Sequence, residues 1–350
     1  MTQINTGICS YGMSGKLFHA PFIQSHPGFA LTAIVERHKE ESREKYPAAI
    51  LYRSFEELLA DKQIRLIVVN TPVQTHFDYV KACLEAGKAV VVEKPFTVTA
   101  AEAAILEEMA HSKKVFLSVY QNRRYDGDYR AVKNVLDRQL LGELKEAEIR
   151  FDRYRPSFGG KSHKEGELPG AGILHDLGAH MIDQALQLFG WPQQVFADIR
   201  VLRGGEARAN DYFELLLYYP GLRVRIKSTV MARESYYAYV LHGSKGSFLQ
   251  HRSDMQEEKL LAGMIPTLES WCPPPALPDG ILHTEIDGQV VRKETTSTPG
   301  NYMGYYDDVY KALTGGAPNP VPAADAVKTM KIIEAAMMSA EEGRVLSCES

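Results

Sequence analysis

The chain has 350 residues, 45% of them hydrophobic, and a formal net charge of −4 with acids and bases mixed along its length. That length favours two domains, and the lack of a basic stripe, a charge block or an apolar run of spanning length argues against nucleic-acid and membrane partners. The N-terminus MTQINTGICSYG lacks a basic region followed by an apolar one, and Cys9, Cys83, Cys272 and Cys348 form no CxxC pair, which together fit a reducing cytoplasm.

The first third alternates strands and helices. Thr6–Cys9 reads as strand, Lys16–Gln24 as helix and Ala30–Glu36 as a second strand. Ser54 and Glu57 form a capping box at the start of a short helix. Leu66–Asn70 is an apolar strand, Phe77–Ala86 a helix closed by Gly87, Lys88–Glu93 the next strand, Ala100–Ser112 a helix and Val115–Tyr120 a strand. Uniformly apolar strands in a βαβ rhythm predict a parallel sheet covered on both faces.

The rhythm changes near Gln121. A helix is expected over Asp128–Leu140, then alternating strands from Glu146 onward, with Leu174–Leu188 as an interrupting helix. Val195–Val201, Tyr212–Tyr219, Leu222–Val230 and Tyr236–Leu241 follow as strands, with a hairpin turn at Pro220-Gly221. This predicts a mostly antiparallel sheet with one face free, and a free face of that size calls for a second copy of the chain. Residues 251–300 read as long irregular connections, and helices close the chain at Tyr302–Leu313 and Ala323–Glu342. The expected division is therefore 1–121 and 122–350, an α/β fold in both parts.

Four stretches carry chemistry. The first turn, Ser10-Tyr11-Gly12-Met13-Ser14-Gly15, keeps two glycines of the dinucleotide pattern G-x-G-x-x-G, with Ser10 in the place of the first. Gly12 lets backbone approach a pyrophosphate, Gly15 permits close helix–strand packing, and an ordinary Gly-containing turn is the alternative. Glu36 ends the second strand, roughly 20 residues on, where an acid accepts from the adenosine ribose, or serves as a surface acid of the cluster Glu36-Arg37-His38-Lys39. Glu36 disfavours a 2′-phosphate, Arg37 and Lys39 favour one, and the balance leans to NAD with NADP not excluded. Thr71 and Pro72 follow the Leu66–Asn70 strand, where they line the cofactor's path or cap the helix that His76 begins. Val90-Val91-Val92-Glu93-Lys94-Pro95 holds a cation at the carboxyl end of a strand, where open α/β sheets bind ligands; a solvated turn is the alternative, which the residues before and after weaken. In the second part Asp176 and His180, after the glycine-rich run Gly170–Gly172, lie one turn apart, with His175 pointing elsewhere. Such a pair orients and deprotonates a hydroxyl, or is structural; no third ligand has metal spacing, so no metal is expected.

Gly12–Pro21, Glu93-Lys94-Pro95, Gln121-Asn122-Arg123-Arg124 and Asp176–His180, in that order, make the chain resemble the glucose–fructose oxidoreductase/inositol dehydrogenase/rhizopine catabolism (Gfo/Idh/MocA) family of NAD(P)-dependent oxidoreductases. The resemblance covers essentially the whole chain and departs at Ser10. It implies an N-terminal Rossmann domain, a C-terminal α/β domain with an open sheet, and homodimers or homotetramers joined through that sheet. Lys94 matches the family's catalytic lysine, and Asp176 and His180 its downstream acid and histidine. The implied cofactor contacts are Tyr11, Gly12, Met13, Ser14, Gly15, Glu36, Arg37, Thr71, Pro72, His76, Glu93, Lys94 and Asn122. The implied substrate contacts are Lys94, Arg123, Tyr154, Asp176 and His180, and the substrate class is sugars, cyclitols and related polyols.

The expected reaction is reversible hydride transfer, with His180 moving the proton and Lys94 holding the reacting oxygen, or those two roles exchanged. Arg123, Arg124, Arg153, Tyr154 and Arg155 border the pocket or, for most of them, make structural pairs. Tyr302, Tyr305 and Tyr306 read as an aromatic core stripe. Two other classes stay open: a regulator that binds the dinucleotide without turnover, and a hydrolase or isomerase that uses NAD transiently. Retention of Lys94, Asp176 and His180 together argues against the regulator.

Overall fold

The computed structural model describes residues 3–348 except 161, 206, 235 and 270. It divides into two compact units, one of Met1–Asn122, Gln256–Cys272 and Asn301–Val327, the other of Arg123–Met255, Pro273–Gly300 and Lys328–Ser350. Besides the expected boundary near 121, the chain thus passes between the units at four further points. The physical reason is aromatic. Tyr306, fully buried on the helix Met303–Leu313, lies within 6.0 Å of the rings of Phe22, Phe29 and Tyr120 of the N-terminal segment.

The first unit holds a six-stranded parallel sheet of β1 (Ile4–Ile8), β2 (Phe29–Val35), β3 (Ile50–Tyr52), β4 (Leu66–Val69), β5 (Ala89–Val92) and β6 (Leu117–Val119). The order is β3-β2-β1-β4-β5-β6, which reverses between β1 and β4. That reversal leaves a crevice at the carboxyl ends of the strands, the place where doubly wound sheets take ligands. Every side chain of β4 and all three valines of β5 from Val90 are fully buried, as helices on both faces require. The helices carry the caps their sequences encode. Ser54 and Thr99 each accept from a backbone amide three residues on, and Glu57 and Glu102 bond back to the cap amides.

The second unit holds a nine-stranded sheet of β7 (Leu144–Arg150), β8 (Gln194–Arg200), β9 (Tyr212–Tyr219), β10 (Leu222–Thr229), β11 (Tyr239–Gly243), β12 (Gly246–Gln250), β13 (Gly280–Ile286), β14 (Gln289–Thr295) and β15 (Leu346–Ser347). The order is β14-β13-β12-β11-β7-β10-β9-β8-β15, antiparallel throughout except for the parallel pair β7 and β10. Strand β9 alternates strictly: Phe213, Leu215, Leu217 and Tyr219 are buried, while Tyr212, Glu214, Leu216 and Tyr218 lie on the other face. That other face carries a ladder of charges, with Arg225 3.0 Å from Glu214 and 3.3 Å from Glu148.

The stretch 251–300, expected to be irregular, contains the hairpin β13–β14, and this corrects the sequence reading. Its turn is Asp287-Gly288, both at positive φ (52° and 78°), the geometry of the tight turn that matches strand twist. Among the described residues no helix is long and apolar enough to cross a membrane, and no cluster of potential metal ligands occurs.

Candidate active site

The turn after β1 is built around two glycines with different tasks. A Cβ on Gly15 would lie 2.2 Å from the Ser10 carbonyl oxygen and 3.0 Å from Asn70 Nδ2, so the protein itself excludes a side chain there. A Cβ on Gly12 would meet only Ser10 Oγ, at 3.5 Å, which is ordinary contact. Gly12 is exposed and open outward, and the backbone there is free to be approached by a phosphate. Ser10 fills the first-glycine place without strain, because its backbone is not left-handed. Its Oγ accepts from the Gly12 amide at 3.3 Å and its carbonyl from Asn70 Nδ2 at 2.7 Å, so the hydroxyl itself tightens the turn. The chain continues through a π-helical turn, Gly15–His19, into the α-helix Ala20–Ser25.

Glu93 joins this turn to the end of β5. Its Oε1 accepts from Ser14 Oγ at 2.5 Å and stands 3.0 Å from His19 Nε2, while Oε2 accepts from the Lys94 amide at 3.0 Å. Burial pushes the Glu93 carboxyl up, but the hydrogen bond and charge of His19, with Lys94 and Ser14, outweigh it and bring it down to about 2. His19 is fully buried, and its Nδ1 lies 2.6 Å from Tyr306 Oη. His19 lies within the motif Gly12–Pro21, but its role is not legible there, because its partners are 74 and 287 residues away. Lys94 follows directly, half-buried at the strand's carboxyl end, with a cis peptide to Pro95.

His76 has a bracing position. Its Nε2 lies 2.8 Å from the Thr71 carbonyl and its Nδ1 3.0 Å from that of Pro95, so the buried ring sits between the loop after β4 and the turn after β5 and, when neutral, donates to one of the two carbonyls. Burial lowers its pKa below the ordinary histidine value, against the opposing pull of those carbonyls and Glu93. Thr71 Oγ1 pairs with Thr75 Oγ1 at 2.6 Å, Pro72 and Met13 are exposed, and Asn122 is buried. Tyr11 is buried against Tyr46 in an edge-to-face pair at 6.1 Å, and burial, then Glu36, Glu41 and Glu44, raise its phenol pKa. Glu36 is buried, and Arg37 is exposed.

In the second unit the segment Leu174–Gly178 is π-helical and runs into the α-helix Ala179–Phe189. Asp176 accepts from Lys164 Nζ at 3.0 Å, and His180 is only 4% exposed. His175 is buried with an unpartnered Nδ1, and burial takes its pKa down to about 4. Arg124 forms a two-pronged bond to Asp183, at 2.8 and 2.6 Å. Arg123 pairs with Asp126 at 3.3 Å and lies over Phe151, as does Arg153. Tyr154 accepts from Arg233 at 2.7 Å, and Arg155 is exposed and bonds through its amide to Val230.

The family model described as "Oxidoreductase family, NAD-binding Rossmann fold" matches residues 4–121, and that described as "Oxidoreductase family, C-terminal alpha/beta domain" matches 133–347. The uncharacterized oxidoreductase YdgJ of Escherichia coli is 40% identical over 345 residues, 98% of each chain. The scyllo-inositol 2-dehydrogenase (NADP(+)) IolW of Bacillus subtilis is 36% identical over 99% of this chain and 96% of its own. A crystal structure from Bacteroides fragilis has TM-score 0.89 and 43% identity over 99% of both chains.

Proposed function

This chain belongs to the Gfo/Idh/MocA family of NAD-binding oxidoreductases, and we propose that it is a dehydrogenase of sugars, cyclitols or related polyols. When bound, the dinucleotide supplies the hydride acceptor, the nicotinamide C4. The chain supplies the rest. The Lys94 ammonium holds the reacting oxygen and stabilises its developing charge. His180 takes the hydroxyl proton during oxidation and returns it during reduction. Asp176 orients a neighbouring hydroxyl.

The observation that carries this reading is the bonding of Glu93 to Ser14, to His19 and to the amide of Lys94. It locks the lysine's backbone to the same turn whose open Gly12 suits a pyrophosphate. The similarity to a scyllo-inositol dehydrogenase supports the substrate class. A panel of cyclitols and aldoses, assayed with NAD and with NADP for net formation of reduced cofactor, tests it. Turnover of at least one such alcohol is expected, with a loss of about 10²–10⁴ in rate for His180→Ala. No net reduction with any of them, or a His180→Ala enzyme as fast as wild type, overturns the reading or the assignment respectively.

We further infer that two or four copies associate through the open face of the nine-stranded sheet. Tyr212, Leu216 and Tyr218 stand there among Glu148, Glu214 and Arg225, a mixed apolar and self-complementary charged surface suited to a second copy. Light scattering is expected to give a multiple of the 39.1 kDa chain mass; a monomer at micromolar concentration sinks it.

A further inference from the structure

The second unit carries a lysine that the sequence motifs leave out. Lys164 lies on the four-residue helix Ser162–Glu165, and its Nζ donates to Asp176 Oδ1 at 3.0 Å. One residue holds both backbones. The Gly172 amide donates to the Lys164 carbonyl at 2.8 Å, and the Gly172 carbonyl accepts from the Asp176 amide at 3.0 Å. Gly172 sits at φ +97°, and a Cβ there would lie 2.4 Å from Asn210 Nδ2, so a side chain at 172 would strain this link. Asn210 accepts in turn from the Ile173 amide through its carbonyl, and from the Leu174 amide through Oδ1, both at 2.9 Å. The backbones that carry the ammonium and the carboxylate therefore stand at a fixed spacing.

The ion pair adds little to holding the loop, because Glu165 already fastens it. Glu165 Oε1 accepts from Arg203 Nη1 at 2.8 Å, Oε2 from the Gly159 amide at 2.8 Å, and its carbonyl from the Ala209 amide at 3.3 Å. Arg203 is bound to Asp211 at 3.0 Å, with the two side chains 4% and 0% exposed. The Lys164 and Asp176 side chains are 41% and 26% exposed. A pair so open to water contributes about 0–1 kcal/mol to stability. What it offers is a charged donor and a charged acceptor side by side. Adjacent hydroxyls of a polyol answer that arrangement: one oxygen accepts from the ammonium while the neighbouring hydroxyl donates to the carboxylate. A lone alcohol fills only half of it.

We propose that Lys164 is a specificity-determining residue that, together with Asp176, binds two adjacent hydroxyls of the substrate. The two-point contact selects polyhydroxylated substrates over simple secondary alcohols. Lys164 acts on binding and takes no part in the transfer of hydride or proton. The proposal rests on the polyol dehydrogenase reading, with Asp176 as a substrate contact.

Initial-rate kinetics of the purified full-length chain, of Lys164→Met and of Lys164→Arg test it, with scyllo-inositol, myo-inositol and D-glucose, each with NAD⁺ and with NADP⁺. For a polyol that the wild type oxidises, Lys164→Met is expected to raise KM about tenfold or more, the size of a lost hydrogen bond to a charged group, with kcat within about threefold. The KM for the dinucleotide should stay within about twofold. Lys164→Arg, which keeps a charged donor, should recover most of the polyol KM. An unchanged polyol KM in Lys164→Met, or a fall in kcat alone, overturns the proposal and leaves the dehydrogenase reading intact. So does a KM that rises equally in the methionine and arginine variants. A lower melting temperature with polyol and dinucleotide KM rising together marks a support of the loop, and likewise overturns it. Wild-type chain that oxidises none of the three refutes the polyol reading and this proposal together.

Discussion

His19 Nε2 stands 3.0 Å from Glu93 Oε1, with the imidazole fully buried and the carboxylate nearly so. The pair makes a pH signature. The Glu93 carboxyl lies at about 2 in the folded chain against an ordinary 4.5, so its interactions stabilise the fold above the unfolded value. That stability is lost as pH falls from about 4.5 towards 2. His19→Ala removes the chief group opposing burial, so its urea midpoint at neutral pH should fall by the equivalent of about 1–3 kcal/mol. Its further loss between pH 4.5 and 2 should be smaller than that of wild type. Parallel acid-unfolding curves for the two proteins would contradict the assignment.

The two glycines of the first turn should behave differently. Gly15→Ala places a Cβ 2.2 Å from a backbone oxygen, which cannot swing aside, so both melting temperature and dinucleotide affinity should drop. Gly12→Ala meets only a serine hydroxyl at 3.5 Å, so its stability should stay within about 1 kcal/mol of wild type. Its dinucleotide affinity should nonetheless fall, because the methyl occupies the approach. Melting curves with and without NADP⁺ separate the two. A Gly12→Ala protein that binds as wild type would mean that the pyrophosphate does not come near this backbone.

These contrasts show what is legible in one dimension and what is not. Strand β9 was readable to the residue, because period-two burial writes itself directly into Tyr212–Tyr219. The hairpin β13–β14 was missed although Asp287-Gly288 sits between alternating runs; the prolines at 273–278 hid it. The π-helical starts of two helices leave no pattern distinct from the α period. At the site, Lys94 and the first turn were visible as local motifs. Their linkage through Glu93 spans 79 residues to Ser14, and spacing carries no such information. The bond between the buried Glu36 and Ser42 spans only six residues, yet a sequence does not say which way an acid at a strand end points.

Arg124 and Asp183 test whether an arginine of the motif Gln121–Arg124 serves the fold. The pair is two-pronged and 11% and 2% exposed. Arg124→Ala strands a buried carboxylate and should cost about 3–5 kcal/mol in urea unfolding. Changing both partners, as in Arg124→Met with Asp183→Leu, should recover most of that loss. If the single change costs less than about 1 kcal/mol, the pair is not a structural support.

His175 gives the last prediction, at milder pH than Glu93. It is 4% exposed, and burial takes its pKa from 6.5 to about 4. The unfolded chain therefore binds the proton first, and stability is lost as pH falls from 6.5 towards 4. A shift of that size corresponds to about 3 kcal/mol at the acid end of the window. Its Nδ1 has no hydrogen-bond partner, so the substitution forfeits only the ring's bond to the Ala171 backbone, a loss that is present at every pH in the window. His175→Phe should consequently hold its stability better than wild type between pH 6.5 and 4, even if the larger ring lowers it at pH 7. Denaturant midpoints across that range measure the difference in slope. Equal slopes would mean that the imidazole is solvated in the folded chain or that another group governs this pH region.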